Sequence, residues 1–107
     1  MAVVSNKPDD AVKILCQQYF PNLYAIGESA GCPRKPAPDM VRNALEVLGV
    51  AAQDAVYVGD SEVDVETARN AGMPLIAVSW GFRTREQLRA AGAETIVDTA
   101  EGLLAAL

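Results

Sequence analysis

The run Val56-Tyr-Val-Gly-Asp-Ser-Glu-Val-Asp-Val-Glu-Thr-Ala-Arg-Asn-Ala-Gly-Met73 decides how this chain is read. A short apolar segment, Ala55 to Val58, stops at Gly59, and Asp60, Glu62, Asp64 and Glu66 follow at once. The segment reads as a strand, and the spacing after it predicts a helix over 62–71 closed by Gly72. Asp60 ends the strand and Asp64 follows one helical turn later, so both can face one point. Two carboxylates beside backbone oxygen suit a hard cation such as Mg²⁺. They equally suit a helix start: Ser61-x-x-Asp64 has the form of a capping box, and Asp60 is itself a good cap. On these residues alone both readings stand.

Outward from this stretch, strand-like and helix-like patterns alternate. Downstream come a strand over 75–78, a helix over 84–91 with Thr84 as N-cap and Gly92 as stop, a strand over 95–97, and a helix after Thr99. Upstream, Met1 to Ser5 is a β-branched run closed by Asn6-Lys7-Pro8. Pro8, Asp9 and Asp10 suit the first turn of a helix carrying Val12, Leu15, Cys16 and Tyr19 on one face. A brief strand over Tyr24 to Gly27 precedes a loop, Glu28 to Lys35, and Pro36-Ala-Pro-Asp39. Val41, Ala44, Leu45 and Leu48 then repeat the helical spacing up to Gly49. This βαβα rhythm predicts an α/β fold with a parallel sheet and helices on its faces. Ligands in such sheets sit beyond the carboxyl ends of the strands, where Ser5-Asn6 and Gly59-Asp60 both fall.

Composition narrows the function. A chain of 107 residues, half of them hydrophobic and 6% aromatic, suits one domain with a modest aliphatic core. A net charge of −5 without a basic cluster argues against nucleic acid. No apolar run is long enough to span a bilayer, and no secretory signal pattern is present. The absence of histidine removes His-based triads and the usual zinc sites. Cys16 and Cys32 form no CxxC pair and read as reduced thiols of a cytoplasmic protein.

Ser5 and Asn6 lie next to a helix N-terminus, a place that holds anions, although a plain cap explains them as well. Lys35, in a Pro-flanked loop, can reach an anion as a point charge or simply be solvated. Arg83 and Arg85 open the 84–91 helix and can reach a substrate carboxylate or lie in solvent. Taken in order, a hydroxyl, a lysine and Gly-Asp-x-x-x-Asp form the charge clamp and cation site that phosphoryl transfer needs.

Val3-Val-Ser-Asn-Lys-Pro8, Lys35-Pro-Ala-Pro-Asp39 and the 56–73 run resemble motifs two, three and four of haloacid-dehalogenase-like (HAD) phosphatases. Val78-Ser-Trp-Gly-Phe82 and the closing 95–107 segment resemble the phosphoglycolate phosphatase subgroup, so the likeness covers the chain. It implies a Rossmann-like HAD core, with motifs two to four forming a single partial domain over 1–107. It also implies that Ser5 and Asn6 bind the phosphoryl group, that Lys35 balances charge on nucleophile and phosphate, and that Asp60 and Asp64 bind or orient Mg²⁺. Gly59 and Ser61 take supporting positions. The implied reaction is hydrolysis of a small phosphomonoester, phosphoglycolate favoured, through an aspartyl phosphate.

One family element has no match. The Asp-x-Asp-Gly-Thr motif, whose first aspartate attacks phosphorus, occurs nowhere among these residues, and the helical cap that selects substrate has no counterpart. The chain therefore reads as the C-terminal half of a longer enzyme, inactive alone. In the family the nucleophile strand lies between the motif-two and motif-four strands, so its absence exposes two strand edges that seek partners. The expected outcomes are closure of the gap, pairing with another copy, or an N-terminal half that fills it. An open, solvated gap in a single chain would count against the reading. Two other function classes compete. One is a non-catalytic assembly or binding domain of the same fold. The other is a receiver-type signalling module, which requires an acidic pair where this chain has Ser5-Asn6-Lys7.

Overall fold

The computed structural model describes residues Met1–Leu107. Its order is β1 (Ala2–Pro8), α1 (Asp9–Tyr19), β2 (Tyr24–Glu28), α2 (Asp39–Leu48), a 3₁₀ turn (Ala52–Asp54), β3 (Tyr57–Gly59), α3 (Glu62–Ala71), β4 (Leu75–Val78), α4 (Arg85–Ala91), β5 (Ile96–Val97) and α5 (Ala100–Ala106). The alternation is as expected, and 62–71 and 75–78 keep the bounds read from sequence. Left-handed backbone at Gly49, Gly72 and Gly92 ends α2, α3 and α4. Thr84 caps α4 in a reciprocal box with Gln87.

Four strands differ from expectation, two of them by one residue: β2 runs on to Glu28 and β5 begins at Ile96. β1 runs on to Pro8 rather than closing at Asn6, because Pro8 pairs with Glu28 after an irregularity beyond Val4. β3 begins at Tyr57 rather than Ala55, since its pairing starts where β4 starts, with Tyr57 opposite Leu75.

All pairings between these strands are parallel, but they build two sheets rather than one: β1-β2, and β3-β4-β5. Alternate residues of β2 face opposite ways. Ala25 packs with Val12 and Cys16 of α1, whereas Ile26 packs with Met40 of α2, so helices cover both faces of the first sheet. In the second sheet Ala77 packs with Val65 and Leu88, which joins α3 and α4 to one core.

Helix α2 belongs to both sheets. Met40 buries against Ile26, while the next residue, Val41, buries against Tyr57 and Ala68. Helix α2 thus lies across the gap between β1 and β3 and packs on both of its sides. Of the three outcomes expected for the exposed edges, closure of the gap is not found: the two sheets stay separate. What remains is a groove of about 700 Å³ whose fifteen lining residues are all hydrophobic, Val4, Val41, Leu45, Tyr57, Val58 and Leu103 among them. The open groove in a single chain is the outcome that counts against the reading of a missing strand. Its wholly apolar lining, however, is what an edge built to pair and pack would present.

Candidate functional site

The site is assembled by β1, the 29–38 loop and the β3–α3 junction. From β1, the Asn6 side chain brackets the backbone of Lys35: Oδ1 accepts the Lys35 N–H at 2.6 Å, and Nδ2 donates to the Lys35 carbonyl at 3.2 Å. The Lys35–Pro36 peptide is cis. With its backbone bracketed by Asn6, Lys35 sends its ammonium to Asp64 Oδ1 at 2.7 Å, with both side chains largely buried. Asp64 Oδ2 accepts the Asp60 N–H at 3.0 Å and the Ser61 hydroxyl at 3.2 Å. Asn6, Lys35, Asp64, Asp60 and Ser61 therefore form one connected chain. It ties β1 to the carboxyl end of β3.

Two further findings bear on the cap at α3. The Ser61 side chain makes no capping bond to the helix; its hydroxyl points instead at the Asp64 carboxylate. Asp64 accepts from the amide of Asp60, one residue before the N-cap, so the capping-box reading gives way to an anchored carboxylate. Burial by itself would raise the Asp64 carboxyl; hydrogen bonding and charge from Lys35, with help from Asp60 and Tyr57, outweigh it and hold the group below its ordinary range.

Gly59 and Gly81 are explained by close approach. A Cβ on Gly59 would overlap the Asp64 side chain, and one on Gly81 would overlap the Asp60 carboxylate. The loop after β4 thus lies directly on Asp60. Arg83 fixes that loop to α3 by a two-pronged contact with Glu62, Nε at 2.7 Å and Nη2 at 3.0 Å, and holds the Glu62 carboxyl down to about 2. Arg85 turns elsewhere, to Asp98 at 2.9 Å. Ser5 is the expected site residue that stands apart: its hydroxyl oxygen accepts the Lys7 N–H at 3.2 Å, and no hydrogen bond joins it to the others.

The donor set suits half of a Mg²⁺ site. No group of three His, Cys, Asp or Glu side chains converges anywhere in the chain. Asp64 is engaged by four donors, whereas the partly buried Asp60 carboxylate accepts no hydrogen bond. Mg²⁺ is commonly held by one or two carboxylates with water and phosphate oxygens completing the shell, so one free and one anchored carboxylate fit it.

Tyr57 is the residue that sequence reading passed over. Its hydroxyl donates to Asp64 Oδ1 at 3.0 Å, and the Lys35 ammonium lies 5.8 Å from its ring centroid. The only signal in the sequence was a hydroxyl-bearing residue in an otherwise aliphatic strand, two residues before Gly59.

Cys16 and Cys32 are both buried and free, in separate clusters. No helix is long and apolar enough to cross a membrane.

Residues 32–104 match the family model described as HAD-hydrolase-like. The phosphoglycolate phosphatase of Rhodospirillum rubrum is 36% identical over 101 residues, covering 92% of this chain and 42% of the relative. The plasmid-borne phosphoglycolate phosphatase of Cupriavidus necator is 41% identical, covering all of this chain and 48% of the relative. Among solved structures, a candidate phosphoglycolate phosphatase from Lactobacillus delbrueckii subsp. bulgaricus superposes with a TM-score of 0.94 at 53% identity, over 98% of this chain and 45% of that one. The chain thus spans under half the length of these relatives, and with its motif-three loop, motif-four helix and parallel strands it belongs to the HAD-like hydrolase family.

Proposed function

We propose that these residues supply the phosphate clamp and half the Mg²⁺ site of a phosphatase acting on a small phosphomonoester, with phosphoglycolate the favoured substrate. The observation that carries this is the hydrogen-bonded chain from Asn6 through Lys35 and Asp64 to Asp60 at the strand ends. Asn6 serves by fixing the Lys35 backbone. Lys35 balances the charge of the phosphoryl group and of the carboxylate that attacks it, and Ser5 hydrogen-bonds a phosphoryl oxygen. Asp64 keeps Lys35 and the Asp60 amide in place, leaving the Asp60 carboxylate to face the cation. When bound, Mg²⁺ would neutralise phosphate charge and favour in-line attack.

The nucleophile is an aspartate outside the motifs present here, carried on an apolar strand that fills the groove between β1 and β3. Its attack on phosphorus releases the alcohol and leaves an aspartyl phosphate, which water then hydrolyses. Alone, the 107 residues are expected to release no phosphate. A cytoplasmic setting suits the two free thiols.

The test is phosphate release from 2-phosphoglycolate with Mg²⁺, by this chain alone and by a chimera joining it to the N-terminal half of the R. rubrum relative. Silence alone and turnover in the chimera, abolished by Lys35→Met, is the expected result. A chimera that folds and remains inactive, or one indifferent to Lys35→Met, would remove the reading and leave the non-catalytic assembly domain.

A further inference from the structure

The Tyr57 hydroxyl is not explained by packing. Its ring fills a place in β3 facing Val41 and Ala68 and forms part of the groove wall, and phenylalanine would do both. A buried phenol needs a hydrogen-bond partner. Here the partner is the carboxylate oxygen that also receives Lys35. The division of Asp64 is even: Oδ2 takes the Asp60 amide and the Ser61 hydroxyl, and Oδ1 takes Lys35 and Tyr57. Without Tyr57, Oδ1 would keep a single partner, an ammonium on a flexible four-carbon stem. With it, the ammonium has the carboxylate on one side and a ring face 5.8 Å away on another.

We infer that Tyr57 is a positioning residue: its hydroxyl and ring together hold the Lys35 ammonium against Asp64, fixing where Lys35 presents its charge. What that charge then does belongs to the phosphatase reading. The holding itself is a property of the free chain.

The two are separable by experiment. Hydrogen exchange of the Lys35 ammonium, followed by ¹⁵N NMR on the chain without metal or phosphate, reports the hold directly, with exposed Lys7 as internal reference. In the wild type the Lys35 ammonium should exchange more slowly than that of Lys7. Tyr57→Phe should speed Lys35 exchange about tenfold, the worth of one hydrogen bond to a charged group, and leave Lys7 unchanged. Tyr57→Leu, which also removes the ring, should speed it further. Because Tyr57→Phe keeps the groove wall, its affinity for an apolar dye should not change, which separates a lost hold from a damaged fold. Unchanged Lys35 exchange in Tyr57→Phe, or a wild-type Lys35 no more protected than Lys7, would overturn the inference and make Tyr57 a packing residue. Neither result depends on phosphate release by the chimera, so the phosphatase reading can fail without this one, and the reverse.

Discussion

Lys35 Nζ lies 2.7 Å from Asp64 Oδ1, joining the motif-three loop to the first turn of α3 across 29 positions of chain. Both groups are nearly closed to solvent, so each is the other's countercharge in a place where water compensates little. Lys35→Met should lower unfolding free energy by about 3 kcal/mol, the low end for breaking a buried pair, because three donors to Asp64 survive. The double variant Lys35→Met/Asp64→Leu should cost less than the sum of the single changes. Urea denaturation of the four proteins checks both statements. Additive losses would mean that the two charges do not interact.

The same pairing sets an acid limit on stability. Asp64 is held below its ordinary value of 3.8, against the upward push of burial, chiefly by Lys35. A carboxyl lowered in the folded state contributes its full stabilisation above the unfolded value and loses it as pH falls through the folded one. Stability should therefore decline below about pH 4, and Asp64→Asn should flatten that decline relative to wild type. Asp9 and Asp98 are lowered too, by Lys13 and by Ser79 with Arg85, so the difference between the two proteins is the quantity to measure. Parallel acid limbs would remove Asp64 as a contributor.

Gly59 and Gly81 should fail differently when replaced by alanine. At Gly59 the new methyl meets the Asp64 side chain at its root, inside the β3–α3 junction, where nothing can yield without moving the helix. Overpacking of this kind costs about 1–3 kcal/mol. At Gly81 the methyl meets the Asp60 carboxylate from an exposed loop, so the loop or the carboxylate can move at small cost in stability. Gly81→Ala should instead weaken Mg²⁺ binding, read by calorimetry, with a melting temperature close to wild type. Equal destabilisation by both changes would contradict the placement of the loop on Asp60.

How much of this was legible in the sequence follows from how local each feature is. Helix ends at Gly49, Gly72 and Gly92, and the Thr84 cap, depend on a few neighbouring residues and were read correctly. The start of β3 depends on where β4 begins to pair, which no local pattern carries, and it was read two residues early. Asp60 and Asp64 were found together because one turn of helix separates them. The Asn6 bracket around Lys35 and the Tyr57 bond to Asp64 were not found. Each needs the fold to bring together residues whose local patterns announce only a cap, a solvated loop and a buried strand. The groove was anticipated as exposed strand edges. Its persistence as an open feature was not, because it depends on packing between distant segments: α2 sends the adjacent residues Met40 and Val41 into different clusters.

The groove carries the last prediction. Val58 on β3 lines it and is 42% exposed, so a lysine there can reach solvent without disturbing the core beneath. Wild-type chain should bind an apolar fluorescent dye at the groove, and Val58→Lys should lose most of that signal while melting within a few degrees of wild type. In the chimera with the R. rubrum N-terminal half, the wild-type signal should vanish, because an apolar strand then occupies the space and pairs with both edges. Val58→Lys in the chimera would force an ammonium against that strand and should abolish phosphate release, although Val58 touches none of Asn6, Lys35, Asp60 or Asp64 through a hydrogen bond. Full activity in that variant would mean that the nucleophile half docks elsewhere. The gap between β1 and β3 would then be an ordinary surface cleft.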